Sequence, residues 1–147
     1  MPTEDQVLLV ANRTAVSAAL LDAVRARAAQ SPTRFHLIVP ATPRGLDRVV
    51  DPDAAGLPEA TAQLERALPA LAEAAGAEVS GEVGDADPLA VISDALHAGH
   101  FDELILSTLP RRLSGWLRLD LPRKAAHFGV PVTHVEAEPA PVVAGRA

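Results

Sequence analysis

Short, uninterrupted apolar runs recur along the chain and alternate with segments of helical periodicity. The first run, Val7 to Ala11, is rich in β-branched and aliphatic residues and contains no polar residue. Such a run is typical of a strand covered on both faces of a parallel sheet. Five strands are predicted, at residues 6–11, 35–40, 77–83, 103–107 and 131–136. The third alternates apolar and polar residues, which indicates a half-exposed strand at a sheet edge.

Four helices are predicted between these strands, from apolar residues spaced three or four positions apart. They cover residues 14–30, 58–76, 88–99 and 120–128. Val16, Leu20 and Val24 form the apolar stripe of the first helix, which Thr14 is expected to cap. Pro69 lies inside the second helix and predicts a kink or an unpaired carbonyl there.

The strict alternation of strands and helices predicts an α/β fold. Its expected form is an open, doubly wound, mostly parallel sheet of five strands with helices on both faces, a Rossmann-like arrangement. In sheets of this kind ligands bind at the carboxyl ends of the strands, where the winding reverses. Asn12, Pro40 and Ser107 stand at the ends of the three strands expected to be central, so they mark the candidate site.

Composition narrows the class of protein. The 147 residues suffice for one domain and are too few for two ordinary ones. The absence of cysteine excludes disulfides, thiol catalysis and cysteine-ligated metals. A net charge of −6 argues against nucleic acid as a partner. Without a signal-peptide pattern or an apolar stretch of about 20 residues, the sequence predicts no membrane association and a cytoplasmic location.

The order and spacing of four stretches resemble the universal stress protein domain. They are VLLVANRTAVSAALLDAV, FHLIVP, GDADPLAVISDALHAGHFDELILST and VPVTHVEA. The resemblance implies one domain over residues 1–136, with the adenine nucleotide alpha hydrolase-like fold and the strand order 3-2-1-4-5. It also implies a homodimer formed through the last strand, and many members of the family bind ATP. Residues 41–56 are expected to form a flexible flap, and residues 137–147 a frayed tail.

The residues that hold ATP in this family differ in this chain. Its ATP-binding members carry an aspartate after the first strand, and after the fourth strand a Gly-x-x-Gly, nine residues and a Gly-Ser or Gly-Thr pair. By position, the aspartate corresponds to Asn12, the first two glycines to Ser107 and Pro110, and the final pair to Asp120 and Leu121. Pro110 has no N–H to offer a phosphate, and the Asp120 carboxylate, which can cap its own helix, would repel one. The family's mode of ATP binding is therefore expected to be lost, with no cofactor bound.

The loop that replaces this motif is strongly basic. Residues 111–124 contain five of the thirteen basic residues and one acid, so the loop carries +4 and the rest of the chain −10. One interpretation is an anion-binding loop, in which arginines grip phosphate or carboxylate and Trp116 stacks on a base. The alternative is that the arginines are solvated, while Trp116 and neighbouring leucines anchor the loop to the sheet or to a partner subunit.

Other candidate chemistry is weaker. The five histidines lack metal-binding spacing, so no metal is expected. Ser107 could act as a nucleophile with a nearby histidine, but the Gly-x-Ser-x-Gly motif is absent.

The sequence thus predicts a non-catalytic, universal-stress-protein-like homodimer in stress response or regulation, with a degenerate nucleotide site. The alternative is a protein that binds a nucleotide such as ATP or AMP, or another small anion, through the Arg-rich loop. The predicted site residues are Asn12, Val39, Ser107, Arg111 and Arg112.

Overall fold

The computed structural model describes residues 4–41 and 56–137. The predicted flap and tail fall almost wholly on residues outside these ranges. The elements, in chain order, are β1 (Asp5–Val10), α1 (Ala18–Gln30), β2 (Thr33–Pro40), α2 (Leu57–Ala75), β3 (Ser80–Gly84), α3 (Pro88–Ala98), β4 (Glu103–Thr108), α4 (Gly115–Arg118), α5 (Leu121–Ala126) and β5 (Val132–Glu136).

The five strands form one sheet in the order β3-β2-β1-β4-β5. All four neighbouring pairs are parallel, with Val7 opposite Phe35 on one side and Glu103 on the other. The predicted fold and strand order are confirmed, and β3 lies at an edge as its alternating pattern predicted. β5 forms the other edge.

Successive side chains of the central strands enter two separate cores, one on each face of the sheet. Val7 and Leu9 of β1 pack with α1 and α2. Leu8 and Val10 pack with α3, α4 and α5. Both faces of β1 are fully buried, which explains why its sequence is an unbroken apolar run.

Three helical details differ from the sequence prediction. Helix α1 begins at Ala18 and is capped by the Ser17 hydroxyl, because Thr14 is used elsewhere. Helix α2 continues through Pro69, which lies on its exposed side. A short helix, α4, lies in the segment predicted to be a long loop.

Arg27 joins the amino ends of the strands on the α1 side. Its guanidinium lies 2.8 Å from carboxylate oxygens of both Asp5 and Glu103, and it also donates to the Ser31 hydroxyl at 2.9 Å. The hydrogen bonds from Arg27 and Ser31 lower the pKa of Asp5. One cation thereby ties α1 to β1 and β4.

Candidate functional site

The carboxyl ends of β1 and β4 carry a compact set of buried polar side chains. These are Asn12, Thr14, Ser107, Thr108 and Ser114, each at most 5% exposed. Polar groups buried to this degree are costly unless they form hydrogen bonds. Their partners therefore decide whether the site is open to a ligand; we call these five residues the strand-end cluster.

Thr14 and Ser107 form a hydrogen bond across the ends of β1 and β4. Their hydroxyl oxygens lie 2.6 Å apart. Ser107, predicted as a site residue, thus bonds to a residue that the sequence suggested as a helix cap. No histidine bonds to Ser107 in residues 4–41 and 56–137, so the structure does not assemble a nucleophilic relay on it there.

Asn12 lies in the site but directs its amide inward. Its Nδ2 donates to the carbonyl oxygen of Pro40, which connects the ends of β1 and β2. Its Oδ1 is buried and has no hydrogen-bond partner among the described residues. An atom so enclosed is not accessible to a ligand without movement of the surrounding chain.

Thr108 connects β4 to the edge strand. Its hydroxyl donates to the carbonyl of Leu109 at 2.9 Å, so the Nε2–H of His134, also 2.9 Å away, must donate to it. Burial of part of the imidazole lowers the pKa of His134; the Glu136 carboxylate opposes this shift and Arg111 adds to it. His134 is thus held as a neutral donor.

Glu136 occupies a backbone donor of the Arg-rich loop. The N–H of Arg111 donates to the Glu136 carboxylate at 2.8 Å. This N–H lies one residue after Pro110, in the stretch where the resembled family uses glycines to bring backbone donors to phosphate. In this chain a carboxylate of β5 takes that donor instead.

Asp120 has a left-handed backbone conformation, with φ at 59°. Its carboxylate does not cap α5, contrary to the sequence prediction, and instead lies 3.6 Å from Arg123. Left-handed φ is the conformation that glycine adopts without cost. Asp120 therefore adopts a conformation that favours glycine, although the residue is aspartate.

The remaining predicted residues divide between core and surface. Val39 is fully buried in the core beside α1 and α2, so its side chain offers no exposed surface to a ligand. Arg111 and Arg112 are exposed. Trp116 is 1% exposed and packs in the core with Val10 and Leu106. Its ring is not free to stack on a base, so the structure supports the anchoring interpretation of Trp116.

Four residues in or bonded to the strand-end cluster and its loop were not predicted to belong to the site. Thr14 was interpreted as a helix cap, and Thr108, His134 and Glu136 were given no role. His134 and Glu136 could be identified only from the pairing of β5 with β4, in which His134 lies opposite Leu106 and Glu136 lies opposite Thr108. Within the described ranges, no three metal-ligating side chains converge on one point.

Comparisons with known proteins agree with the fold. No protein-family model and no curated protein sequence matches the chain. A universal stress protein from Archaeoglobus fulgidus superposes with a TM-score of 0.60 at 17% identity, covering 89% of this chain and 93% of that one. Its complex with dAMP gives a TM-score of 0.57 at 17% identity, covering 92% and 99%.

A universal stress protein in complex with cAMP gives a TM-score of 0.63 at 13% identity, covering 93% of this chain and all of that one. Identities this low establish architecture and leave the ligand open. Among the described residues, no helix has the length and apolarity needed to cross a bilayer. With a matching strand order and near-complete coverage in both directions, the chain has the fold of the universal stress proteins and forms a universal-stress-protein-like domain.

Proposed function

We propose that this chain is a non-catalytic, universal-stress-protein-like domain with a degenerate nucleotide site, acting as a homodimer in stress response or regulation. Structures with the same fold have been determined with dAMP and cAMP, so the scaffold is compatible with nucleotide binding. In this chain, hydrogen bonds within the protein and two carboxylates occupy the position at which a nucleotide would be expected.

The observation that carries the proposal is the internal hydrogen bonding of the strand-end cluster. Thr14 bonds to Ser107, Asn12 to Pro40, and Thr108 to His134. Only the bond between Thr14 and Ser107 joins two members of the cluster, and Asn12 Oδ1 has no partner among the described residues. A nucleotide that used the bonded groups would have to break buried hydrogen bonds before it could form its own.

Two carboxylates support the same conclusion, although loop 111–124 as a whole carries +4. Glu136 accepts from the N–H of Arg111, and Asp120 stands where the family has a glycine. A triphosphate in this loop would approach two carboxylates and would compete with one of them for a backbone donor. Both effects oppose anion binding at the inherited position.

Isothermal titration calorimetry tests the degenerate site directly. The protein is titrated with Mg-ATP, dAMP and cAMP, and we expect no dissociation constant tighter than about 1 mM for any of them. A dissociation constant below about 10 μM for any nucleotide would overturn the proposal. Glu136→Gln provides a second arm, because removing that carboxylate should increase, and never decrease, any residual affinity for ATP.

The homodimer is proposed to form through the outer edge of β5. Ala137 N–H donates to the Thr108 carbonyl at 2.9 Å. Because N–H groups alternate in direction along a strand, those of His134 and Glu136 point away from β4. An outward row of donors and acceptors on an edge strand is a template for pairing with a second strand.

Light scattering at about 0.5 M salt, where long-range charge effects are screened, should give twice the chain mass of 15.3 kDa. His134→Pro removes one outward N–H and should give a monomer. The matched control, His134→Gln, keeps the N–H and should stay dimeric. A wild-type monomer at tens of micromolar, or equal masses for both variants, would contradict pairing through β5.

A second candidate function is binding of a nucleotide or another small anion by the Arg-rich loop. The exposed side chains of Arg111 and Arg112 favour it, since guanidinium groups bind phosphate in a bidentate manner. A nucleotide that co-purifies with the wild type and is lost from the Arg111→Ala and Arg112→Ala double variant would support it. Failure to bind any nucleotide across a panel would count against it.

A further inference from the structure

A groove runs along the side of α3 that faces β3. It joins three hollows of about 470, 540 and 250 Å³, which share lining residues from one to the next. On this face β3 presents Glu82 and Gly84, so it adds no apolar side chain to the core beside α3. The middle section of the groove is lined by Ile38 and Val91, together with the exposed Leu57. We call this surface the α3 groove.

The α3 groove is acidic as well as apolar. Glu82, Asp85 and Asp94 line its middle section, and within residues 4–41 and 56–137 no arginine or lysine lines any of its three hollows. Glu82 bonds to His36 at 2.8 Å. Asp85 and Asp94 form no ion pair within residues 4–41 and 56–137. A segment that combines guanidinium groups with an apolar side chain has the complementary chemistry.

Such a segment is present on the same chain. Arg111, Arg112, Leu113, Arg118 and Leu119 are all exposed, with Leu113 at 55% and Leu119 at 64%. We call these five residues the basic patch. Neither Arg112 nor Arg118 forms an ion pair in the described part of the chain. The buried Trp116 between them anchors α4 to the core, so the patch is presented on a fixed support.

We propose that the α3 groove binds the basic patch of a second copy of this chain, head to tail. No residue of the patch lines the groove, so the basic patch does not occupy the groove of its own chain. Leu57 is 59% exposed, so both surfaces offer a large aliphatic side chain that gains by burial. The two surfaces differ, and such a contact therefore builds open chains or rings beyond a dimer.

This contact uses neither the strand-end cluster nor the β5 edge, so it is independent of strand pairing. It shares Arg111 and Arg112 with the anion-binding alternative, and the groove variants Asp85→Lys with Asp94→Lys leave both of those arginines in place. The salt dependence of the mass distinguishes the groove contact from the β5 dimer. A β5 dimer held by backbone hydrogen bonds persists when charges are screened, whereas a contact between acidic and basic surfaces weakens.

Sedimentation velocity over a concentration series provides the test. At about 0.02 M salt the average mass of the wild type should rise with concentration, and the association constant should fall at least about tenfold at about 0.5 M salt. Asp85→Lys with Asp94→Lys, and separately Arg112→Glu with Arg118→Glu, should each abolish the rise. An equimolar mixture of these two variants should associate again, because one supplies the patch and the other the groove.

Matched controls carry the same changes of charge on α1 and α2. Glu65→Lys with Glu73→Lys, and Arg25→Glu with Arg66→Glu, alter exposed residues outside the groove and should behave as the wild type. The proposal is overturned if the average mass of the wild type does not rise with concentration, or if the controls lose this rise as well. It is also overturned if the mixture of the two variants shows no higher average mass than each variant alone. Circular dichroism establishes that each variant is folded.

Discussion

The hydrogen bond between Thr14 and Ser107 allows a quantitative test of the closed strand-end cluster. Thr14→Val keeps the shape of the side chain and removes its hydroxyl, and Ser107→Ala does the same on β4. Each single change leaves a buried hydroxyl without its partner 2.6 Å away and should cost about 1.5 kcal/mol of unfolding free energy. The double variant removes both hydroxyls and should cost only about 1 kcal/mol, a coupling of about 2 kcal/mol.

Urea unfolding measures this cycle, with the fluorescence of the single, buried Trp116 as the probe. Thr61→Val is the control, since that hydroxyl is exposed on α2 and should change stability by less than about 0.5 kcal/mol. If both single variants cost less than about 0.5 kcal/mol and the double variant is additive, the hydroxyls do not stabilise one another. They would then be free for a ligand, and the basis of the degenerate site would be refuted.

Three further predictions concern backbone strain, the strand-end cation and pH. Asp120→Gly relieves a left-handed backbone at some cost in chain entropy, so we expect a gain of up to about 1 kcal/mol in urea unfolding; a loss would contradict the strain. Arg27→Met should lower the free energy of unfolding by about 2 kcal/mol, because it leaves the carboxylates of Asp5 and Glu103 without their cation. Its control, Arg25→Met on the exposed surface of α1, should lower it by less than about 0.5 kcal/mol. Burial lowers the pKa of His134, so the folded protein binds that proton less readily than the unfolded chain, and stability should fall as pH drops below about 6.5. His134→Gln should flatten the slope of unfolding free energy between about pH 7 and about pH 5, and an unchanged slope would assign the effect to other groups.

The fold could be predicted because its signals are local. A strand buried on both faces has to be an unbroken apolar run, as in β1, and a helix start such as Asp87-Pro88 is set by a carboxylate cap and a fixed φ. The structure confirms the helix predicted at residues 88–99 as α3, which runs from Pro88 to Ala98 and is capped by Asp87. Helix α4 was missed because its four residues are too few to show a helical period.

The site was predicted less completely, because its partners are far apart in sequence. Thr14 and Ser107 are 93 positions apart, and the sequence gives each residue a local explanation that is sufficient by itself. The contact between Glu136 and the loop depends on the register of β5 against β4, which no local pattern specifies. The sequence therefore named, as site residues, two of the five buried polar residues of the strand-end cluster.

The left-handed turn at Asp120 shows how loosely residue type and backbone conformation are linked in this loop. The main chain takes a conformation that glycine adopts without cost, although the residue is aspartate. The spacing of glycines along a sequence therefore does not mark every position at which a backbone bends in this way.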